Sequence, residues 1–242
     1  MAIVLVHGAW SGGWSWKEAA RLLRQRGYDV YAPSQTGLAD RNHVPPERVD
    51  LSTHVADITG LLRYENLENA LIVGHSYGGM VITGAVDRER ARVAGMIYLD
   101  AFVPRNGESL FDIVGEARAA DMRAAAQGHD GGKSLPRPTT PGNTAPGSAA
   151  RFEALFTPQP IGCMSGKFIS TRDNPDDWPP RQYVLCKAYN PSPFHAIAAR
   201  VRGEPGWTPG EFDALHDVPR THPADVADMI AAQAALWNIP RA

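Results

Sequence analysis

The pentapeptide 74–78, with the sequence Gly-His-Ser-Tyr-Gly, carries the clearest chemical signal in this chain of 242 residues. A short apolar run, 70–73, enters it, and a helix-compatible stretch, 80–88, leaves it. A G-x-S-x-G sequence between a strand and a helix forms a sharp turn that exposes the serine hydroxyl at the end of the strand. The pattern therefore predicts a strained backbone and a nucleophilic hydroxyl at Ser76, with glycines on either side where neighbouring chain passes closely.

A serine hydroxyl needs a neighbouring base to attack a carbonyl carbon near pH 7, and histidine suits that task. His216 follows the last predicted strand, which places it at the same edge of the sheet as Ser76. His222 is the rival candidate, but it directly precedes Pro223 and fits a helix start better. Four other histidines are predicted to lie on loops or helix surfaces without a catalytic role: His43, His54, His129 and His195.

The carboxylate that orients the base has two sets of candidates. Asp100 ends the strand that follows the nucleophile strand, on the correct edge of the sheet. Asp173 and Asp176 would take the role if residues 167–170 formed the strand before the last helix and strand. The chain after a strand ending at Cys186 has the length of one crossover helix and one strand, which favours Asp100. The pair at 173 and 176 stays as the alternative.

Acyl transfer also needs N–H donors for the oxyanion that develops on the substrate carbonyl. The backbone N–H of Tyr77, directly after the serine, is one predicted donor, and that of Ala9, in the loop after the first strand, is the other. The small residues around Ala9 leave room for a carbonyl group. Trp10 either walls the pocket or belongs to the core.

The elements that must position these residues are short apolar strands alternating with helical segments. This alternation predicts an α/β fold with a doubly wound, mostly parallel sheet. Right-handed crossovers then bring the carboxyl ends of the strands, and with them the candidate residues, to one edge. The predicted strands are 3–6, 29–32, 70–73, 96–99, 182–186 and 211–215, and the main helical segments are 14–26, 55–62, 80–88, 194–201 and 223–237.

Residues 104–180 interrupt this alternation. Residues 108–127 are predicted to be helical, 128–147 are rich in glycine and proline, and 149–156 favour a short helix. We therefore expect an α/β core formed by 1–103 and 181–242, with 104–180 as an inserted lid over the edge that carries the candidate residues. The apolar residues of this insertion either line the pocket or pack it onto the core: Leu110, Phe111, Phe152 and Phe156.

Composition excludes several classes of protein. The apolar fraction of 43%, the charged fraction of 21% and the net charge of -2 describe an ordinary globular domain without a nucleic-acid or anionic-membrane preference. No apolar run has the length of a membrane span, and the first residues lack the pattern of a signal peptide. The two cysteines form no metal-binding pattern, so we expect reduced thiols, a cytoplasmic protein, and neither metal nor cofactor. No stretch marks an oligomer interface.

The segments His7-Gly8-Ala9-Trp10 and 74–79 resemble the α/β-hydrolase superfamily, in the branch of plant methylesterases, salicylate-binding esterases, hydroxynitrile lyases and related bacterial esterases. The resemblance covers 1–103 and 181–237. It implies Ser76 as nucleophile, His216 as base, and the N–H groups of Ala9 and Tyr77 as oxyanion donors.

The acid and the reaction follow from details of this resemblance. The stretch that ends in Asp100 is similar to bacterial members whose acid follows this strand, whereas the commoner acid position falls near Tyr189 and Asn190. The lyases carry a threonine in place of Gly8 and a lysine near the histidine, and this chain has neither, which disfavours cyanohydrin cleavage.

We therefore expect a cofactor-independent serine hydrolase that cleaves a small, largely apolar, aromatic ester or methyl carbamate through an acyl-enzyme. The alternatives on the same fold are a hydroxynitrile-lyase-like enzyme, a non-catalytic small-molecule receptor and a cofactor-free oxygenase.

Overall fold

A six-stranded parallel sheet forms the centre of the molecule, in a computed structural model that describes residues 1–138, 152–172 and 177–239. The strands are ordered β2-β1-β3-β4-β7-β8, and each neighbouring pair is parallel. The prediction of a doubly wound, mostly parallel α/β sheet is confirmed. The strands are β1 (Ala2–Val6), β2 (Asp29–Tyr31), β3 (Ala70–His75), β4 (Val93–Leu99), β7 (Arg181–Cys186) and β8 (Trp207–Phe212), and an antiparallel ribbon pairs β5 (Ser134–Leu135) with β6 (Gln159–Pro160).

The α-helices of the described ranges flank the sheet or lie within the 104–180 segment. None of them is long and apolar enough to cross a membrane. They are α1 (Lys17–Gln25), α2 (Leu51–Tyr64), α3 (Gly78–Arg88), α4 (Leu110–Val114), α5 (Glu116–Asp130), α6 (Gly162–Ser165), α7 (Pro193–Arg202), α8 (Val218–Thr221) and α9 (Pro223–Leu236).

The apolar runs of the central strands are explained by burial on both faces of the sheet. Every residue of β1 is buried, and its side chains alternate between two hydrophobic clusters. Val4 joins the cluster that α2 and α3 cover, whereas Ile3 joins the cluster that α1 and α9 cover. Helices on both faces leave the carboxyl edge of the sheet as the open end where loops can form a site.

The last strand differs from its prediction, because β8 runs over Trp207–Phe212 rather than over 211–215. This strand is one edge of the sheet, and all six of its residues are exposed or half-buried. An edge strand needs no continuous apolar run and accepts a proline such as Pro209, so the usual strand signal is missing there.

The 104–180 segment is also more broken than its sequence predicts. The expected single helix over 108–127 is divided into α4 and α5 at Gly115, whose φ of 82° lies in the region that favours glycine. Residues 149–151 of the short helix predicted over 149–156 lie outside the described residues, and Glu153–Leu155 forms one 3-10 turn.

Candidate active site

The turn after β3 has the strained geometry that its sequence predicts. Ser76 has a φ of 54°, and α3 begins two residues later at Gly78. A Cβ atom at Gly74 would lie 2.7 Å from the carbonyl oxygen of Gly78, and one at Gly78 would lie 2.6 Å from that of Val6. Only glycine fits at these two positions, so the turn holds the serine side chain at the carboxyl edge of the sheet.

Asp100 and His216 meet at the same edge, where β4 and β8 end. The imidazole Nδ1 of His216 lies 2.6 Å from Oδ2 of Asp100, and the buried carboxylate accepts a second hydrogen bond at Oδ1 from the N–H of Cys186, 3.0 Å away. Because a carboxylate only accepts, the proton of this short bond is carried by Nδ1, which leaves Nε2 to face the cavity as a base. The alternative acids, Asp173 and Asp176, lie outside the described residues.

Ser76 and His216 line one cavity, which brings the predicted nucleophile and base to the same space. Within the described residues, no hydrogen bond joins the Ser76 hydroxyl to the imidazole. Such bonds are often long or poorly aligned in ligand-free enzymes and tighten when substrate binds.

Aromatic rings enclose the imidazole of His216. The ring of Phe194 stacks on it with centroids 4.9 Å apart and an interplanar angle of 10°, and Tyr189 stacks at 4.9 Å and 29°. Tyr189 thus occupies the region where the commoner acid of the resembling family would fall. These contacts were missed at the sequence level, because residues so far apart in sequence give no pattern that predicts stacking.

His75 fixes the main chain that carries the base. Its Nε2 lies 2.8 Å from the carbonyl oxygen of His216, so Nε2 carries a proton and donates it to that bond. Burial, reinforced by the neighbouring His216, holds the pKa of His75 well below the usual value. A neutral His75 therefore links the residue beside the nucleophile to the loop of the base.

His54 contradicts the prediction of a helix-surface position, because it is fully buried in α2. Its Nε2 donates to the carbonyl oxygen of Thr36 at 2.8 Å, which leaves Nδ1 to accept from the Tyr77 hydroxyl at 3.0 Å. Burial lowers the pKa of His54 to about 4. The sequence does carry a signal for this burial, since Val55 and Ile58 mark the apolar face of α2 next to His54.

The predicted oxyanion donors, Ala9 and Tyr77, line the same cavity as Ser76 and His216, which is called the catalytic cavity after the predicted roles of these residues. Among the described residues, neither of their backbone N–H groups donates to another protein group, so both are available to a ligand. Trp10 walls the cavity, one of its two predicted roles. Its indole N–H donates to the carbonyl oxygen of Leu135 at 2.9 Å, and its main-chain N–H donates to Gln159 at 3.0 Å.

The catalytic cavity has a volume of about 480 Å³, within the range of small-molecule sites. Residues from the carboxyl edge of the sheet form one side, and the 104–180 segment forms the opposite side. The segment contributes mostly apolar side chains, including Leu110, Val114, Met122, Leu135 and Met164, together with Arg118, Asp121 and Arg137.

A parallel sheet with a serine turn after β3 and a histidine after the last strand defines the α/β-hydrolase class of fold. The chain belongs to the alpha/beta hydrolase family, whose model matches residues 3–238. The family prediction is therefore confirmed.

Comparisons with individual proteins agree with this assignment. A carbendazim hydrolyzing esterase of Nocardioides sp. (strain SG-4G) is 35% identical over 237 residues, which cover 95% of this chain and 98% of that protein. A pyrethroid hydrolase of Sphingobium wenxiniae is 37% identical over 108 residues, 43% of this chain and 37% of the relative.

Solved structures show the same fold at lower identity. An extracellular alpha/beta-hydrolase from a Paenibacillus species has a TM-score of 0.81 at 21% identity, covering 97% of this chain and 98% of that one. A pyrethroid hydrolase from Sphingobium faniae JZ-2 has a TM-score of 0.75 at 23% identity, with coverages of 99% and 98%.

Proposed function

We propose that this protein is a serine hydrolase that cleaves a small, largely apolar, aromatic carboxylic ester or methyl carbamate through an acyl-enzyme. The observation that carries the proposal is the shared cavity of Ser76 and His216, with Nδ1 of the histidine 2.6 Å from a buried Asp100. The prediction of ester or carbamate hydrolysis is supported by relatives named as a carbendazim hydrolyzing esterase, a pyrethroid hydrolase and methylesterases, carbendazim being a carbamate.

In the first half of the reaction, Nε2 of His216 takes the hydroxyl proton of Ser76 while Oγ bonds to the acyl carbon. The bond from that carbon to the alcohol oxygen then breaks, and the same proton goes to the departing alcohol. In the second half, His216 takes a proton from water, whose oxygen attacks the acyl carbon, and returns it to Oγ as the acid product leaves. Asp100 keeps Nδ1 protonated in both halves, so the imidazole always presents Nε2 to the reacting atoms.

The backbone N–H groups of Ala9 and Tyr77 stabilise the oxyanion in each half. Losing one such donor raises the activation free energy by about 3–4 kcal/mol in comparable enzymes. The buried bond from the Tyr77 hydroxyl to His54 supports this role, because it fixes the side chain of the residue that supplies a donor.

The 104–180 segment acts as the lid of the catalytic cavity in this proposal, and 1–103 with 181–242 forms the hydrolase core. The support is the position of α4 and α5, whose side chains cover the cavity opposite Ser76. The apolar character of these side chains suits an aromatic group better than a charged one.

A reducing compartment such as the cytoplasm is part of the proposal. Both cysteines, Cys163 and Cys186, are free and buried. Burial raises the pKa of Cys163 to about 12, which keeps this thiol protonated and unreactive.

The experiment compares Ser76→Ala with Ser165→Ala, an exposed serine of α6, on a panel of aryl esters and aryl methyl carbamates. We expect the first change to lower kcat by about 10³-fold or more and to abolish labelling by a fluorophosphonate. Ser165→Ala should keep both activities. Hydrolysis retained by Ser76→Ala, or ligand binding without turnover by the unchanged protein, would contradict the proposal.

A further inference from the structure

A second cavity, of about 690 Å³, lies between β4, α3, α7 and β8, and none of its lining residues lines the catalytic cavity. Its inner end is formed by Thr83 and Tyr98, whose hydroxyl groups are 2.8 Å apart. Trp178 and Trp207 supply aromatic surface. The volume is that of a small-molecule site, and the aromatic surface favours a flat apolar group.

The charged residues around this second cavity are mostly cationic. Arg105, Arg181 and Arg200 line it, with Glu204 as the acidic residue among its lining. The guanidinium of Arg181 lies over the ring of Trp207, 4.5 Å from its centroid. In the described part of the chain, neither Arg105 nor Arg200 has a carboxylate within 4.0 Å. Two positive charges at the cavity therefore have no anionic partner among residues 1–138, 152–172 and 177–239.

Two buried N–H donors on the lining also lack a partner among the described residues. Arg200 donates from Nη2 to the carbonyl oxygen of Val103, 2.5 Å away, but its Nε has no partner in the described residues. The indole Nε1 of Trp207 is buried without a partner in the same ranges. Buried donors are nearly always paired, so an orphan pair on one cavity indicates an acceptor that belongs there.

We propose that the second cavity is a ligand site for an aromatic carboxylate. The carboxylate accepts from Arg200 and Trp207, Arg105 adds charge at the opening, and the aromatic group packs on the tryptophan surface. Both nitrogens are covered by neighbouring atoms, so binding would include a small rotation of these two side chains, a common change at binding sites. This site does not depend on the proposed hydrolysis.

The test measures the affinity of 2-naphthoate by calorimetry and by tryptophan fluorescence, with 2-naphthamide as the uncharged probe of the same shape. We expect the acid to bind at least about tenfold more tightly than the amide. Trp207→Phe keeps an aromatic ring and removes the indole N–H. Arg200→Lys keeps the positive charge and removes the paired N–H donors of the guanidinium. Each should weaken binding of the acid by about tenfold.

Three further variants locate the bound acid. Arg105→Gln changes an exposed side chain, leaves folding intact and should weaken binding several-fold. Arg202→Gln, on the same helix but outside the cavity, should have no effect, and neither should Arg118→Gln in the catalytic cavity. Loss of binding only in Arg118→Gln would overturn the proposal, because the acid would then occupy the catalytic cavity. Equal affinity for acid and amide would overturn it as well, because the second cavity would then not select a carboxylate. No binding at about 1 mM would also overturn it, because the cavity would then hold water alone.

Discussion

The sheet and the 104–180 segment meet at the catalytic cavity, but they contribute different kinds of groups to it. The sheet contributes polar groups at strand ends: Ser76 after β3, Asp100 after β4 and His216 after β8. The segment contributes side chains of α4 and α5, which are mostly apolar. In the proposed mechanism, the groups that react therefore come from strand ends of the central sheet, and the groups that contact the rest of a substrate come from the 104–180 segment.

The two regions are also held differently. The edge of the sheet is held by hydrogen bonds from neutral histidines. The buried His54 of α2 bonds to Thr36, and the half-buried His75 bonds to His216. The segment is joined to the sheet through Trp10, which donates to Leu135, and through aromatic packing on Trp14. Changes at the edge of the sheet should therefore affect kcat, and changes in the segment should affect KM and substrate preference.

The largest expected effect is that of Asp100→Asn. Asparagine keeps the shape but presents an N–H or a weaker acceptor to Nδ1, so the imidazole loses its required tautomer, and kcat should fall by about 10⁴-fold. Asp173→Asn and Asp176→Asn should leave kcat unchanged in the same assay. If one of these two variants loses activity and Asp100→Asn does not, the acid comes from the 104–180 segment. The reacting groups would then not all come from strand ends of the sheet.

The free energy of unfolding should depend on pH through the buried histidines. Burial lowers the pKa values of His7 and His54 to about 4 in the folded state, whereas both return to about 6.5 when the chain unfolds. The unfolded state thus binds more protons between these values. The stabilisation is complete above about pH 6.5 and is lost as the pH falls toward 4, by up to about 3 kcal/mol for each histidine.

Urea unfolding between pH 7 and pH 4 measures this dependence. His54→Gln can donate to Thr36 and accept from Tyr77, yet does not titrate, so the dependence should become shallower. His129→Gln, an exposed position in the segment, should leave the pH dependence unchanged.

Asp87 affects stability in a different pH range. Burial raises its pKa, but hydrogen bonds from 170–172 outweigh this and lower the pKa, so its contribution to the free energy of unfolding is lost below about pH 4. A loss confined to that lower range would contradict the role of the histidines.

His75→Phe should lower kcat by about 10- to 100-fold. The ring still fills the space beside His216, but the bond to its carbonyl oxygen is lost, and small displacements of a catalytic base cost rate on this scale. His75→Gln restores a donor and should recover most of kcat at unchanged KM. Equal loss in both variants, with normal thermal stability, would show that the hydrogen bond does not position the base.

Met122→Ala has the smallest expected effect and tests whether the 104–180 segment affects substrate preference. Met122 is half-buried on α5 and lines the cavity, so removing it should change KM for a bulky aryl ester by about tenfold. The kcat for a small acetate ester should stay the same. Met229→Ala, half-buried on α9 away from the cavity, is the matched control. A large fall in kcat for both esters in Met122→Ala would mean that the segment takes part in the chemistry.

The sequence predicts the central part of the fold and the catalytic edge for a physical reason. Strands buried on both faces must be apolar throughout, and the turn at Ser76 admits only glycine at 74 and 78, so both leave local patterns. The same reasoning misses β8, because an edge strand has no need of an apolar run.

Contacts between distant residues leave no such pattern. The stacking of Tyr189 and Phe194 on His216 depends on how the loops after β7 and β8 approach each other. Arg105 and Arg200 line the second cavity but belong to separate elements far apart in sequence, so no sequence pattern predicts this cavity. The bond between Asp100 and His216 was predicted from the shared edge of the sheet, whereas the main-chain N–H of Cys186 that also holds Asp100 was not.

The hydrogen bond from His75 to the carbonyl oxygen of His216 has a consequence for how such a chain can vary. In the proposed mechanism, the base His216 is positioned by a side chain adjacent to the nucleophile, so its position does not depend on the connection between α7 and β8. Insertions or deletions near 203–206, an exposed turn, should then leave the distance between the side chains of Ser76 and His216 unchanged. We therefore expect this turn to vary in length among descendants of this sequence.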